Sequence, residues 1–214
     1  MAWPLATDVQ AHTGVTVTAS GTPSTYKTSY GLDVDELLTR AKAFAAEVCH
    51  RDPAYGFDEV AVTSEKHDYD GGCLIYVGHP PIVAVTSVVI GGTTLSAANE
   101  DYYVYTNYVK LAQASEAGLE AQYPSIVLPQ EIVVSYTGGY SDTTGTHIAI
   151  PAELKRAVLK IACVWLMQAH EQWRTWKGAE SMSAGQVQAK FNYTAELDPV
   201  IKQLREGRWA IQGW

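Results

Sequence analysis

Two stretches of this sequence hold side chains that could bind a metal or move protons. His170-Glu171-Gln172-Trp173-Arg174 opens like the helical zinc-protease motif, in which two histidines one turn apart hold the metal and the glutamate serves as base. Arg174 stands where the second histidine must be, so the motif fails. His67, Asp68, Asp70, Cys73 and His79 form a denser group of potential ligands across a strand, a turn and a second strand. Structural zinc sites show closely paired ligands and this group has none, so a solvated turn is the expected reading and no metal site is assigned. The neighbouring carboxylates Asp58-Glu59 and Glu100-Asp101 would suit acid–base chemistry only in surroundings that separate their pKa values, and they read as exposed acids.

Nucleophile-elbow, dinucleotide-loop and phosphate-loop motifs are absent. Gly138-Gly139 follows a strand, but residues 140–146 separate it from the next helix, so a nucleotide cradle is not supported. No catalytic residue and no cofactor is expected. Cys49, Cys73 and Cys163 are an odd number at wide spacings, which fits a reducing compartment rather than a disulfide framework. No apolar run has the length of a membrane span and the N-terminus lacks the pattern of a signal peptide, so a soluble protein made in the cytoplasm is expected.

The elements that must position these residues predict an α+β chain. Residues 1–31, rich in Thr, Ser and Gly, lack helical periodicity and read as an extended arm. Asp33 and Glu36 have capping-box spacing and open a helix over 34–51, with Leu37, Leu38, Ala41, Ala45 and Val48 on one stripe. From 57 to 137 the pattern changes to short β-branched and aromatic runs divided by glycine and proline. This predicts an antiparallel β-rich insert with strands near 59–66, 73–77, 83–90, 102–106, 108–111 and 131–136. Gly91-Gly92 marks a tight hairpin.

Pro151 and Glu153 then open a helix over 151–177, with Leu154, Val158, Ile161, Ala162, Trp165 and Ala169 as its core stripe. Pro199 is expected to start a short helix over 199–206, and residues 207–214 form a tail. Residues 32–206 are thus read as a single domain that carries the insert.

The net charge of −8 is unevenly placed: segments 1–51, 52–150 and 151–214 carry −1, −10 and +3. An acidic middle argues against dedicated nucleic-acid binding, which uses a basic face. Trp173, Trp176, Trp209 and Trp214 lie at a helix end and in the tail, where a rigid indole suits an interface as well as a core.

Several phrases, in their order along the chain, resemble the head-tail connector (adaptor or head-completion) proteins of tailed bacteriophages. They are Leu37-Leu38-Thr39-Arg40-Ala41 running to Cys49-His50-Arg51, residues 79–88 (HPPIVAVTSV), Asp101-Tyr102-Tyr103-Val104, residues 133–140 (VVSYTGGY) and residues 150–157 (IPAELKRA). The resemblance covers roughly residues 30–206. It implies a virion protein at the head-tail junction that assembles as a ring, commonly of twelve. Such a ring contacts the portal protein on one side and the next neck or tail protein on the other, and double-stranded DNA passes through without sequence-specific binding. Carried onto this chain, it implies a portal contact in the C-terminal segment, with Arg208, Trp209, Ile211 and Trp214 as candidates. Two other readings stay open: a metal-dependent or hydrolytic enzyme using the His67/Asp68/His79 region, and a carbohydrate-binding β module suggested by thirteen tyrosines and six tryptophans.

Overall fold

The computed structural model describes residues 3–21, 25–69, 73–112, 128–141, 147–179 and 193–207. Its contacts divide the chain into two compact units: residues 1–50 with 150–214, and residues 51–149 between them. Each builds its own core, and together they give the α+β class expected from the sequence.

The first unit is helical. It comprises α1 (Ala6–Thr13), a hairpin of β1 (Val17–Ser20) and β2 (Thr25–Thr28), α2 (Val34–Val48), α3 (Ala152–Ala179) and α4 (Tyr193–Glu206). Helix α2 begins as its sequence predicts: the Asp33 carboxylate accepts the Glu36 N–H at 3.0 Å. Helix α3 is the central element and packs against α1, α2 and α4. Leu154, Val158, Ile161, Ala162 and Leu166 of α3 are buried, as are Val34, Leu38, Ala41 and Ala45 of α2 and Val200 and Leu204 of α4. Trp165, assigned to the core stripe, is only half-buried and meets Phe44 edge-on at 5.5 Å.

Two expectations are corrected here. The arm over 1–31 is not simply extended, because it holds α1 and the first hairpin. An eight-residue helix offers only two buried positions, Ala6 and Val9, too few for a periodic signal. Its ends are fixed locally: Asp8 accepts the Leu5 N–H at 2.8 Å, and Gly14 closes the last turn at φ +70°. The last helix starts at Tyr193, not at Pro199, which lies inside it. Proline lacks the N–H that the ladder uses, but burial of Val200 and Leu204 against the unit carries the helix past it.

The second unit is two antiparallel sheets that share one core. The four-stranded sheet has the order β3 (Val60–Tyr69), β9 (Leu128–Gly138), β5 (Ile82–Ile90), β6 (Thr93–Leu95). The three-stranded sheet has the order β4 (Leu74–Tyr76), β8 (Tyr108–Leu111), β7 (Tyr102–Val104). Gly91-Gly92 turns β5 into β6 as expected. Val62, Val88, Ile132 and Val134 from the larger sheet cluster with Ile75, Tyr102, Val109 and Leu111 from the smaller one.

Candidate interaction surfaces

A β-bulge shapes the interior of the β unit. Val62 pairs with Tyr136 and Glu65 with Val134, so β3 spends three residues where β9 spends two. Ser64 takes φ +58°, and its N–H reaches the Ser135 hydroxyl at 3.1 Å. One extra residue resets the two-residue alternation, which brings Glu65 and His67 to the face that Val62 occupies. The Glu65 carboxylate there accepts from Tyr136 Oη at 2.5 Å and from the Gly78 N–H at 2.7 Å, with His67 Nε2 at 3.0 Å. Tyr136 Oη in turn accepts the His79 N–H at 2.9 Å. Burial alone would raise the Glu65 carboxyl, but bonds from His67, Tyr136 and Gly78 hold it below its usual 4.5. Burial and the Glu65 charge push the Tyr136 phenol up, which keeps it a neutral donor.

His79 is buried with its Nε2 2.7 Å from the Asp58 carbonyl. A carbonyl only accepts, so Nε2 carries the proton and Nδ1 is the bare nitrogen, without a hydrogen-bond partner among the described residues. Burial holds this imidazole below its usual 6.5, with Arg51 adding to the effect against the Asp58 bond. Arg51 is 3% exposed, with its guanidinium 4.8 Å from the Phe57 ring and 5.5 Å from the Tyr140 ring. Gly138 and Gly139 permit this crossing: a Cβ on Gly138 would collide with the His79 carbonyl, and one on Gly139 with the Asp58 carbonyl. The diglycine that resembles part of a nucleotide loop is therefore there for close backbone approach.

The potential metal ligands among the described residues, His67, Asp68, Cys73 and His79, form no metal-binding group. His67 is turned to Glu65 and His79 to Asp58, and Asp70 lies outside the described residues. No group of three His, Cys, Asp or Glu side chains among the described residues could hold a metal ion. Sequence reasoning missed Glu65, Tyr136 and Arg51 as members of one network. The bulge hides Glu65, because Glu65-Lys66-His67-Asp68 reads as a continuous polar run.

The smaller sheet shows the opposite arrangement. Its inner residues Ile75, Tyr102, Val109 and Leu111 are buried, while Leu74, Tyr76, Tyr103, Val104 and Tyr105 are between 41% and 47% exposed. The register puts Leu74, Lys110 and Tyr103 in one outward row. Tyr76 and Tyr108 pair in the next row, which Tyr105 continues by donating its N–H to the Tyr108 carbonyl at 2.9 Å. Tyr108 stacks on Tyr105 at 4.7 Å and meets Tyr76 at 5.5 Å. This is a contiguous aromatic plate with one lysine at the middle of its first row. The sequence read these tyrosines as ordinary strand residues.

A second surface lies in the helical unit, where α1, α3 and α4 leave a groove of about 540 Å³. Leu159, Cys163, Val164 and Met167 of α3 form its apolar floor, and His12, Arg156, Lys160 and Glu196 stand around it. Lys160 Nζ is 3.7 Å from Glu196 Oε2, and both side chains remain about half exposed or more. Cys163 is half-buried here, and burial pushes its thiol up to about 11. The expected portal-contact residues Arg208, Trp209, Ile211 and Trp214 lie outside the described residues.

No helix among the described residues is long and apolar enough to cross a membrane. No protein-family model and no curated protein matches the chain. Among solved structures, a chain in the "neck of native GTA particle computed with C12 symmetry" is 14% identical over 85% of each chain, with a TM-score of 0.38. A chain in the "virion of native gene transfer agent (GTA) particle" is 16% identical over 85% of this chain and 79% of that one, with a TM-score of 0.37. A third, from the "neck of empty GTA particle computed with C6 symmetry", is 14% identical over 85% and 80%, with a TM-score of 0.39.

Proposed function

We propose that this chain is a structural subunit of the head-tail junction of a phage-like particle, assembling with copies of itself into a ring of twelve between portal and tail. The observation that carries an assembly role is the outward tyrosine plate of the β unit. Leu74, Tyr76, Tyr103 and Tyr105, four large side chains more than 40% exposed and three of them on paired strands, make a surface of the kind that partners cover. The connector phrases along residues 30–206 support the location; the three neck and virion chains overlap too little with this fold to add weight.

The charge of the β unit suits a neighbour of DNA that does not hold it. Residues 51–149 contain three Lys/Arg and twelve Asp/Glu, a net charge of −9. Phosphates near such a surface gain none of the counterion release that basic walls provide, so a duplex can slide. In this reading portal contact falls to the C-terminal segment with Arg208, Trp209, Ile211 and Trp214, and the other side of the ring meets the next neck or tail protein. Catalysis has less support, since the histidines suggested for it are turned to separate partners, His67 to Glu65 and His79 to Asp58. A sugar platform is also less favoured, because Tyr105 and Tyr108 each use a ring face on the other.

Native mass spectrometry of the full chain, alone and mixed with portal protein, tests the proposal. A ring mass on the portal is expected. A chain that remains monomeric with portal present would contradict it.

A further inference from the structure

We propose that the tyrosine plate of one copy seats in the α1–α3–α4 groove of the next copy, with Lys110 against Glu196. This rests on the ring reading and names the surfaces that would build it. The plate is an exposed aromatic area on a short sheet, and the groove is an apolar trough with room for more than one aromatic side chain. Their charges are inverted. Lys110 is a lone cation at the middle of the plate, with Glu100 at its margin, where it lies 3.5 Å from Tyr103 Oη. Glu196 is a lone acid among His12, Arg156 and Lys160. Neither Lys110 nor Arg156 has an ion pair among the described residues. Seating the plate in the groove sets Lys110 on Glu196 and the Glu100 margin towards Arg156 and Lys160, with the tyrosines over Leu159 and Met167.

The alternative of plate against plate, centred on Lys110, sets that lysine beside its own copy, which opposes pairing. Two different surfaces meeting in a head-to-tail sense repeat from copy to copy, and that is how a ring is generated. The aromatic contacts supply the binding, while the Lys110–Glu196 pair fixes register.

A charge exchange in the full-length protein tests the pairing. Ring formation on the portal protein is followed by sedimentation velocity for wild type, Lys110→Glu, Glu196→Lys and the double variant. Each single change should raise the concentration for half-assembly by about tenfold or more, and the double variant should return to within about threefold of wild type. Glu196→Gln, which puts no second cation beside Lys160, should give a smaller rise. Both positions are exposed, so unchanged thermal melting will show that the variants fold. Single variants that assemble like wild type, or a double variant that does not recover, would overturn the pairing and leave the ring reading intact. A wild-type chain that forms no ring with portal present would remove the ring reading, and the pairing with it.

Discussion

In the four-stranded sheet of the β unit, Tyr136 points inward and its hydroxyl is held between the His79 N–H and the Glu65 carboxylate. In the three-stranded sheet of the same unit, Tyr76, Tyr103, Tyr105 and Tyr108 share the outward face, the first three nearly half exposed. The residue type is the same and its use is opposite. A tyrosine can enter a core only where its hydroxyl finds a partner, and the bulge at Ser64 supplies that partner by turning Glu65 inward. On the smaller sheet the outward rings Tyr76, Tyr105 and Tyr108 pack on one another, and Tyr76, Tyr103 and Tyr105 stay nearly half exposed. What they can gain is burial against another surface, roughly 1.5–3 kcal/mol for each large side chain fully covered. One sheet is thus completed by folding and the other would be completed by assembly.

Substitutions can break this contrast. The largest loss of stability is expected from Gly138→Val, whose side chain must displace the His79 backbone; chemical denaturation should show about 3–5 kcal/mol lost, or no folded β unit. Tyr136→Phe comes next. It leaves the buried His79 N–H without its acceptor and takes one donor from Glu65, for an expected loss of about 1–3 kcal/mol in urea titration.

Acid should act on the inner sheet in two steps. The folded-state pKa of His79 lies below 6.5, so the unfolded chain takes up more protons as pH falls from 6.5 towards that lower value, and stability drops over that range. Glu65 also titrates below its ordinary value, so its contribution is present above pH 4.5 and is lost as pH falls from there through its folded-state pKa. Melting temperature against pH should therefore decline from about 6.5 downward, and His79→Gln should flatten the upper part of that decline. The smallest effect on folding belongs to Tyr76→Ser with Tyr105→Ser: stability should change by about 0.5 kcal/mol or less per site, while the proposed ring assembly on the portal should be lost.

The sequence made the helices and the β insert legible for physical reasons that can be named. Asp33 and Glu36 announce α2, Pro151 and Glu153 announce α3, and Gly91-Gly92 announces a hairpin, each through local geometry that the residue type itself prefers. Helix α1 was hidden because two turns carry no periodic stripe, and the start of α4 was misplaced because Pro199 outweighed the burial that carries the helix past it. The candidate surfaces were less legible still. Alternation along Leu74-Ile75-Tyr76 and Tyr108–Leu111 says that one face is buried, but not that the other face is left open and aligned across three strands. That alignment depends on register, which pairs Tyr76 with Tyr108 and Lys110 with both Leu74 and Tyr103.

Hydroxyl-radical labelling of the tyrosines, read by mass spectrometry on the free chain and on the chain assembled with portal protein, tests the central contrast most directly. The account predicts that Tyr76, Tyr103 and Tyr105 are labelled in the free chain and protected on assembly, while Tyr136 is protected in both. Equal labelling of the three outward tyrosines in the free and assembled states would contradict it.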